Sequence, residues 1–149
     1  MSAIRSTSAA DTERVGAEVA ARVVAGDLVL VTGQLGAGKT TFVRGACRAL
    51  GVQGPVVSPT FTIGRRYRTG DGRMVSHLDL YRLADMGSEE DGLLDDYLTA
   101  DAIAFVEWPA VANAELREPA VRVEILHAGS DARDLCVEWR GERTKPAAQ

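Results

Sequence analysis

The sequence predicts an α/β fold with a mixed, mainly parallel sheet, helices packed on it and one antiparallel hairpin. Three observations carry this expectation. The apolar run Asp27-Leu28-Val29-Leu30-Val31-Thr32 leads through a glycine-rich stretch into a segment of helical periodicity. Two strand-like segments flank the turn Thr69-Gly70-Asp71-Gly72. A further apolar run, Ala102-Ile103-Ala104-Phe105-Val106, ends on a carboxylate, Glu107.

In chain order, residues 1–8 are small and polar and are expected to be flexible. Ser8 or Asp11 caps a first helix over about residues 11–25, where Val15, Val19 and Val23 recur at intervals of four. Gly26-Asp27 turns into the first buried strand, residues 27–32. Beyond the glycine loop, Phe42, Val43, Ala46, Cys47 and Leu50 mark a helix, and Gly51 ends it. Residues 51–59 form a Gly-, Pro- and Ser-rich loop. The hairpin strands cover residues 61–67 and 74–81. Ser88 opens a short acidic helix over residues 88–96, with Leu93, Leu94, Tyr97 and Leu98 facing inward. Residues 102–106, 120–126 and 135–139 are strands, and the tail 141–149 is flexible. One domain over residues 9–140 results, with helices expected on both faces of the sheet.

Composition bounds the function. The 149 residues carry a net charge of −4, so no broad basic face for nucleic acid is expected. Two cysteines cannot build a disulfide framework or a zinc site. Cys47 belongs to the apolar face of its helix, and Cys136 has no Cys or His at metal spacing. No apolar stretch reaches membrane-spanning length and no signal-peptide core is present, so a cytoplasmic protein is expected.

Gly33-Gln34-Leu35-Gly36-Ala37-Gly38-Lys39-Thr40 fits G-x-x-x-x-G-K-[ST], the phosphate-binding loop. A chance match in this composition has odds of roughly a few in a thousand. Of 17 Lys+Arg only Lys39 and Lys145 are lysines, so the lysine at position 39 is selective. Backbone N–H groups of the loop converge on an anion, the Lys39 ammonium reaches β- and γ-phosphates, and the Thr40 hydroxyl faces Mg²⁺. Strand, loop and helix stand in the order that motif requires. The architecture predicted is therefore a P-loop NTPase-like three-layer sandwich, with ligand at the carboxyl ends of the strands.

Hydrolysis needs a metal and a means of positioning water. Glu107, at the end of a buried strand, is the first candidate acid, either directly on Mg²⁺ or as the water-polarising base. Asp79, in His77-Leu78-Asp79-Leu80-Tyr81-Arg82, is the second. Val75, His77, Asp79 and Tyr81 share one strand face, which is either a site wall or a solvated surface. His77 reads as a structural hydrogen-bonder before a base. Ser58-Pro59-Thr60-Phe61-Thr62 offers hydroxyls for a γ-phosphate-sensing loop. Trp108-Pro109 is either an apolar plug that orients Glu107 or a partner-facing aromatic. Arg65, Arg66 and Arg68 are either a solvated face or a docking patch for RNA or an acidic protein.

Four separated motifs thus stand in order: Gly33 to Thr41 as above, Ser58-Pro-Thr-Phe-Thr62, His77-Leu-Asp-Leu-Tyr-Arg-Leu83 and Val106-Glu-Trp-Pro109. Together they resemble the TsaE (YjeE) family of bacterial ATPases, over roughly residues 10–140. The resemblance implies an ATPase of low intrinsic activity in the synthesis of N6-threonylcarbamoyladenosine at position 37 of tRNAs that read ANN codons. It implies ATP and Mg²⁺ as cofactors and the TsaB–TsaD pair as partner, with tRNA reached through that pair. Gly33, Gly36, Ala37, Gly38, Lys39, Thr40 and Thr41 would bind phosphate. Thr40, Glu107 and Asp79 would stand at the metal, and Glu107, Asp79 and Lys39 would carry catalysis. Thr12 and Arg133 match adenine-side contacts. Gln34 departs from the Asp common in the family, which removes a negative charge beside the loop.

Three rival classes remain. A small-molecule kinase wants an arginine-bearing lid, and no separate lid segment is evident. A GTP-binding switch needs an N-K-x-D element, and no lysine is available for it. A nucleotide-gated adaptor would keep its partner function without hydrolysis.

Overall fold

The structure is a computed structural model and describes residues 2–57, 63–81, 94–110 and 116–141. Its elements in chain order are β1 (Ser2–Ser6), α1 (Ala9–Ala20), β2 (Leu28–Gly33), α2 (Lys39–Ala49), β3 (Gly64–Arg68), β4 (Met74–Asp79), β5 (Ala102–Glu107), β6 (Val121–His127) and β7 (Arg133–Trp139). The seven strands form one sheet in the order β1-β7-β6-β2-β5-β4-β3. β2 pairs in parallel with both β5 and β6, and β4 pairs in parallel with β5. β3, at one edge, is antiparallel to β4. Towards the other edge β7 is antiparallel to β6 and to β1, the edge strand. Five strands therefore run one way, with β3 and β7 opposed. The expected α/β fold with a mixed, mainly parallel sheet and an antiparallel hairpin is what forms.

The β-branched and aliphatic runs of β2 and β5 supply the sheet centre. Val29 and Val31 face α1 and α2, together with Ile103, Phe105, Val121 and Val123. Leu28, Leu30, Ala104 and Val106 face the other way, against Leu78, Leu80 and Leu94. Both described helices thus cover one face. On the opposite face Leu94 accepts from Tyr97 N–H and Leu98 N–H at 3.0 Å each, forming a single turn over the second cluster. The acidic helix expected over residues 88–96 lies mostly outside the described residues, as does the tail beyond residue 141.

α1 is capped as expected, with Ser8 Oγ accepting from Asp11 N–H at 3.1 Å. It is shorter than the valine spacing suggested: helix ends at Ala20, although Val23 is still buried at 4% exposure. α1 and α2 approach backbone to backbone through two glycines. A Cβ at Gly16 would lie 2.2 Å from Phe42 O, and one at Gly45 would lie 2.1 Å from Glu13 O. Cys47 is fully buried on the core face of α2, and burial pushes its thiol up to about 12.

Residues 1–8, expected to be flexible, include β1, which runs along β7 from Ser2↔Val137 to Ser6↔Arg133. Periodicity could not reveal it, because Ile4 is the only large apolar residue in the strand. Its anchors are polar. Arg5 pairs with Asp134 at 2.5 Å, and the buried Ser6 hydroxyl meets Thr12 Oγ1 at 2.7 Å.

Candidate functional site

β2 ends at Gly33, β4 at Asp79 and β5 at Glu107, so three parallel strands deliver their carboxyl termini to the same end of the sheet. Between β2 and α2 the chain turns tightly, with Ala37 N–H donating to Gln34 O at 3.0 Å. Gly36 and Gly38 hold φ of 77° and 109°, in the left-handed region that favours glycine. Gly38 is the N-cap of α2 and brings no side-chain cap, which leaves the first amides of the helix for an external anion.

Lys39 is 5% exposed. Its Nζ donates to Gly33 O and Gln34 O at 2.8 Å each and stands 4.3 Å from the centroid of the Trp108 ring. Burial holds this ammonium below its ordinary pKa, against the opposing charges of Glu107 and Asp79. Trp108 adopts φ of 59°, uncommon for a bulky residue, and its ring also contacts Tyr81 at 4.9 Å. Its place is against both Lys39 and the second apolar cluster.

Glu107 is 2% exposed and held from two sides. The Thr40 hydroxyl donates to its Oε2 at 3.1 Å, and His77 Nε2 lies 2.6 Å from the same oxygen. With the carboxylate ionised, His77 Nε2 is the donor, while the buried Nδ1 has no hydrogen-bond partner among the described residues. Asp79 is the register partner of Glu107 across β4 and β5, so both side chains project to the same face. Asp79 Oδ1 accepts from Tyr81 N–H at 3.1 Å. Burial raises the Asp79 carboxyl pKa, and the nearby Glu107 adds to the rise.

These residues line two adjoining cavities. One, of about 300 Å³, is walled by Leu35, Lys39, Thr40, Asp79, Glu107 and Trp108. The other, of about 350 Å³, is bounded by Ser8, Thr12, Ala37, Asp131 and Arg133. Gly36, Gly38 and Thr41 border both. Together they make one trough with the phosphate-type loop at its middle. Lys39, Thr40, Asp79 and Glu107 fall at one end, and Thr12 and Arg133 at the other. Arg65, Arg66 and Arg68 are exposed on β3, and Arg66 pairs with Asp101 at 3.9 Å. Residues 58–62, the candidate sensing loop, lie outside the described residues.

The sequence model of the family described as "Threonylcarbamoyl adenosine biosynthesis protein TsaE" matches residues 6–135. The chain belongs to the TsaE family. It is 42% identical over 134 residues to the tRNA threonylcarbamoyladenosine biosynthesis protein TsaE of Streptomyces coelicolor, covering 87% of this chain and 90% of that one. With the Bacillus subtilis TsaE it shares 34% identity over 139 residues, covering 93% and 86%. The crystal structure of Bacillus subtilis YdiB superposes with a TM-score of 0.73 at 30% identity, covering 90% of this chain and 82% of the other.

Sequence reasoning on this TsaE member left three contacts unread. His77 was read as a hydrogen-bonder without its partner, which is Glu107. The signal available was its place two residues before Asp79 on the same strand face. Trp108 stands against Lys39, which no spacing rule predicts. The guanidinium of Arg133 meets the backbone of the loop, with Nε donating to Ala37 O at 2.9 Å.

The oxygen donors fit a hard divalent cation. Among the described residues no group of three or more His, Cys, Asp or Glu forms a metal cage. A hydroxyl with two neighbouring carboxylates beside an anion-type loop is instead a partial, open set of donors of the kind that suits such a cation.

Proposed function

We propose that this chain binds ATP with Mg²⁺ in the trough and hydrolyses it. In this reading it is the ATP-consuming, cytoplasmic component of the machinery that makes N6-threonylcarbamoyladenosine at position 37 of tRNAs reading ANN codons, and it acts on the TsaB–TsaD pair. Membership in the TsaE family supports the pathway. The observation that carries the activity is the meeting of Thr40 with Glu107, in register with Asp79, at the mouth of a glycine loop bearing Lys39. Among the described residues no helix is long and apolar enough to cross a membrane.

Each residue then has a task. The loop amides and Lys39 hold the phosphate oxygens and neutralise their charge. Thr40, Glu107 and Asp79 would hold Mg²⁺, which would offset the charge that develops on the transferred phosphoryl group. His77 keeps the Glu107 carboxylate oriented. A low intrinsic rate is consistent with the lining of the phosphate cleft, because none of its described residues is an arginine. An arginine aimed at the transferred phosphoryl group can contribute about 10³–10⁵ in rate, so one supplied by a partner would raise a low intrinsic rate.

The test is phosphate release from ATP by the purified chain, with and without purified TsaB–TsaD from the same source. Release without any acceptor, raised by the pair, is expected. ADP production that requires a small-molecule acceptor would make the chain a kinase. Absence of both stimulation by TsaB–TsaD and binding to it would sink the pathway role while leaving the nucleotide site intact.

A further inference from the structure

Arg133 opens β7 at the turn after β6, and its guanidinium reaches across to the glycine loop. Nε donates to Ala37 O at 2.9 Å and Nη2 to Gly36 O at 3.4 Å. Nη1 donates to Ser130 O at 3.0 Å and Ala132 O at 2.9 Å. Of the five N–H donors a guanidinium carries, those engaged here end on backbone carbonyls, on the turn that bears Arg133 and on the loop. The turn is itself fixed: Ala132 N–H donates to Gly129 O at 2.7 Å, and Ser130 holds φ of 44°.

A trans peptide is planar, so a carbonyl and the N–H of the following residue point in opposite directions. Holding Ala37 O towards Arg133 therefore aims Gly38 N–H away from it. Gly38 is the residue from which α2 starts, at φ of 109°, and it borders the phosphate cleft beside Lys39 and Thr40. Arg133 does not line that cleft. With no Cβ, Gly38 has weak local preferences of its own, and the direction of its amide needs an outside anchor.

We propose that Arg133 is a positioning residue that orients the Gly38 amide for an anion by holding the Gly36 and Ala37 carbonyls. This rests on the phosphate-binding reading of the loop. It differs from a contact to the base, which would act on the nucleoside and leave the loop unchanged.

The two are separated by titrating the full chain with ATP and with inorganic tripolyphosphate, which has no base. For Arg133→Gln, affinity for both ligands is expected to fall by the same factor, about tenfold or more. The Gly38 amide resonance of the free ¹⁵N-labelled protein is expected to move while the rest of the spectrum is retained. Arg133→Lys, with one ammonium for several carbonyls, is expected to fall between, and it carries the comparison if the Gln variant does not fold. Loss of ATP affinity with tripolyphosphate unchanged would make Arg133 a base contact and overturn the proposal. Unchanged affinity for both would overturn it too. A wild-type chain that binds neither ligand would instead remove the phosphate-binding reading, and this inference with it.

Discussion

His77 and Glu107 meet at 2.6 Å between neighbouring parallel strands, with both side chains almost wholly withdrawn from water. A carboxylate buried this deeply needs its donors, and Thr40 supplies the other contact. His77→Ala is therefore expected to destabilise the fold by about 3–5 kcal/mol, because it leaves a buried charge short of a partner. His77→Gln keeps an N–H within reach and is expected to recover part of that loss. Urea unfolding of the two variants checks this, and equal stability of Ala, Gln and wild type would refute the role of His77.

Lys39→Ala, Thr40→Ala and Glu107→Ala are each expected to reduce ATP turnover by about a hundredfold or more, as for loss of one oriented group at a site of developing charge. Asp79→Asn is expected to weaken turnover while nucleotide binding is retained. Steady-state phosphate release, read beside nucleotide titration, separates the two effects. Wild-type turnover by Glu107→Ala would remove Glu107 from catalysis, and collapse of binding in Asp79→Asn would make Asp79 a dominant ligand or a structural residue.

Gly45→Ala is expected to cost about 1–3 kcal/mol or more, since the new methyl group would meet Glu13 O at 2.1 Å and Glu13 Cα at 2.5 Å. Both atoms are backbone, so relief requires α1 and α2 to move apart. Gly70→Ala is the control, because a Cβ there has nothing within 4 Å. Thermal melting should separate the two by several degrees, and equal melting temperatures would show that the helices can part without cost.

Asp11 is held well below its ordinary 3.8, at about 2, first by the Thr7 backbone N–H, then by the Thr7 hydroxyl and Arg14. The folded pKa is depressed, so the ionised carboxylate favours the fold above the unfolded value. That contribution is lost as pH falls from about 4 to about 2. Asp11→Asn should flatten the acid limb of stability in that window. A carboxyl titration by NMR with a midpoint near 4 would contradict the assignment.

The glycine loop, β2 and α2 were legible because their signals are local: an apolar run, glycines at fixed offsets, then helical periodicity. Glu107 and Asp79 were each legible as acids on strands. That they stand opposite one another depends on the register of β4 against β5, and register arises from packing of whole strands. β1 was hidden because its pairing with β7 uses backbone, Arg5 with Asp134 and a buried Ser6, which leaves no apolar alternation to read. The contacts of Arg133 were equally hidden, since its acceptors are main-chain oxygens with no residue-type signature.

The glycines that bring α1 and α2 together at Gly16 and Gly45 also decide which parts of the trough can shift. α1 carries Thr12 and α2 carries Lys39, Thr40 and Thr41, so both ends of the trough are bolted to one chassis. The spacing between them is set by a helix crossing in close backbone contact. Across the cleft Tyr81 and Trp108 follow β4 and β5 instead, and Trp108, at φ of 59°, rests on the Lys39 ammonium.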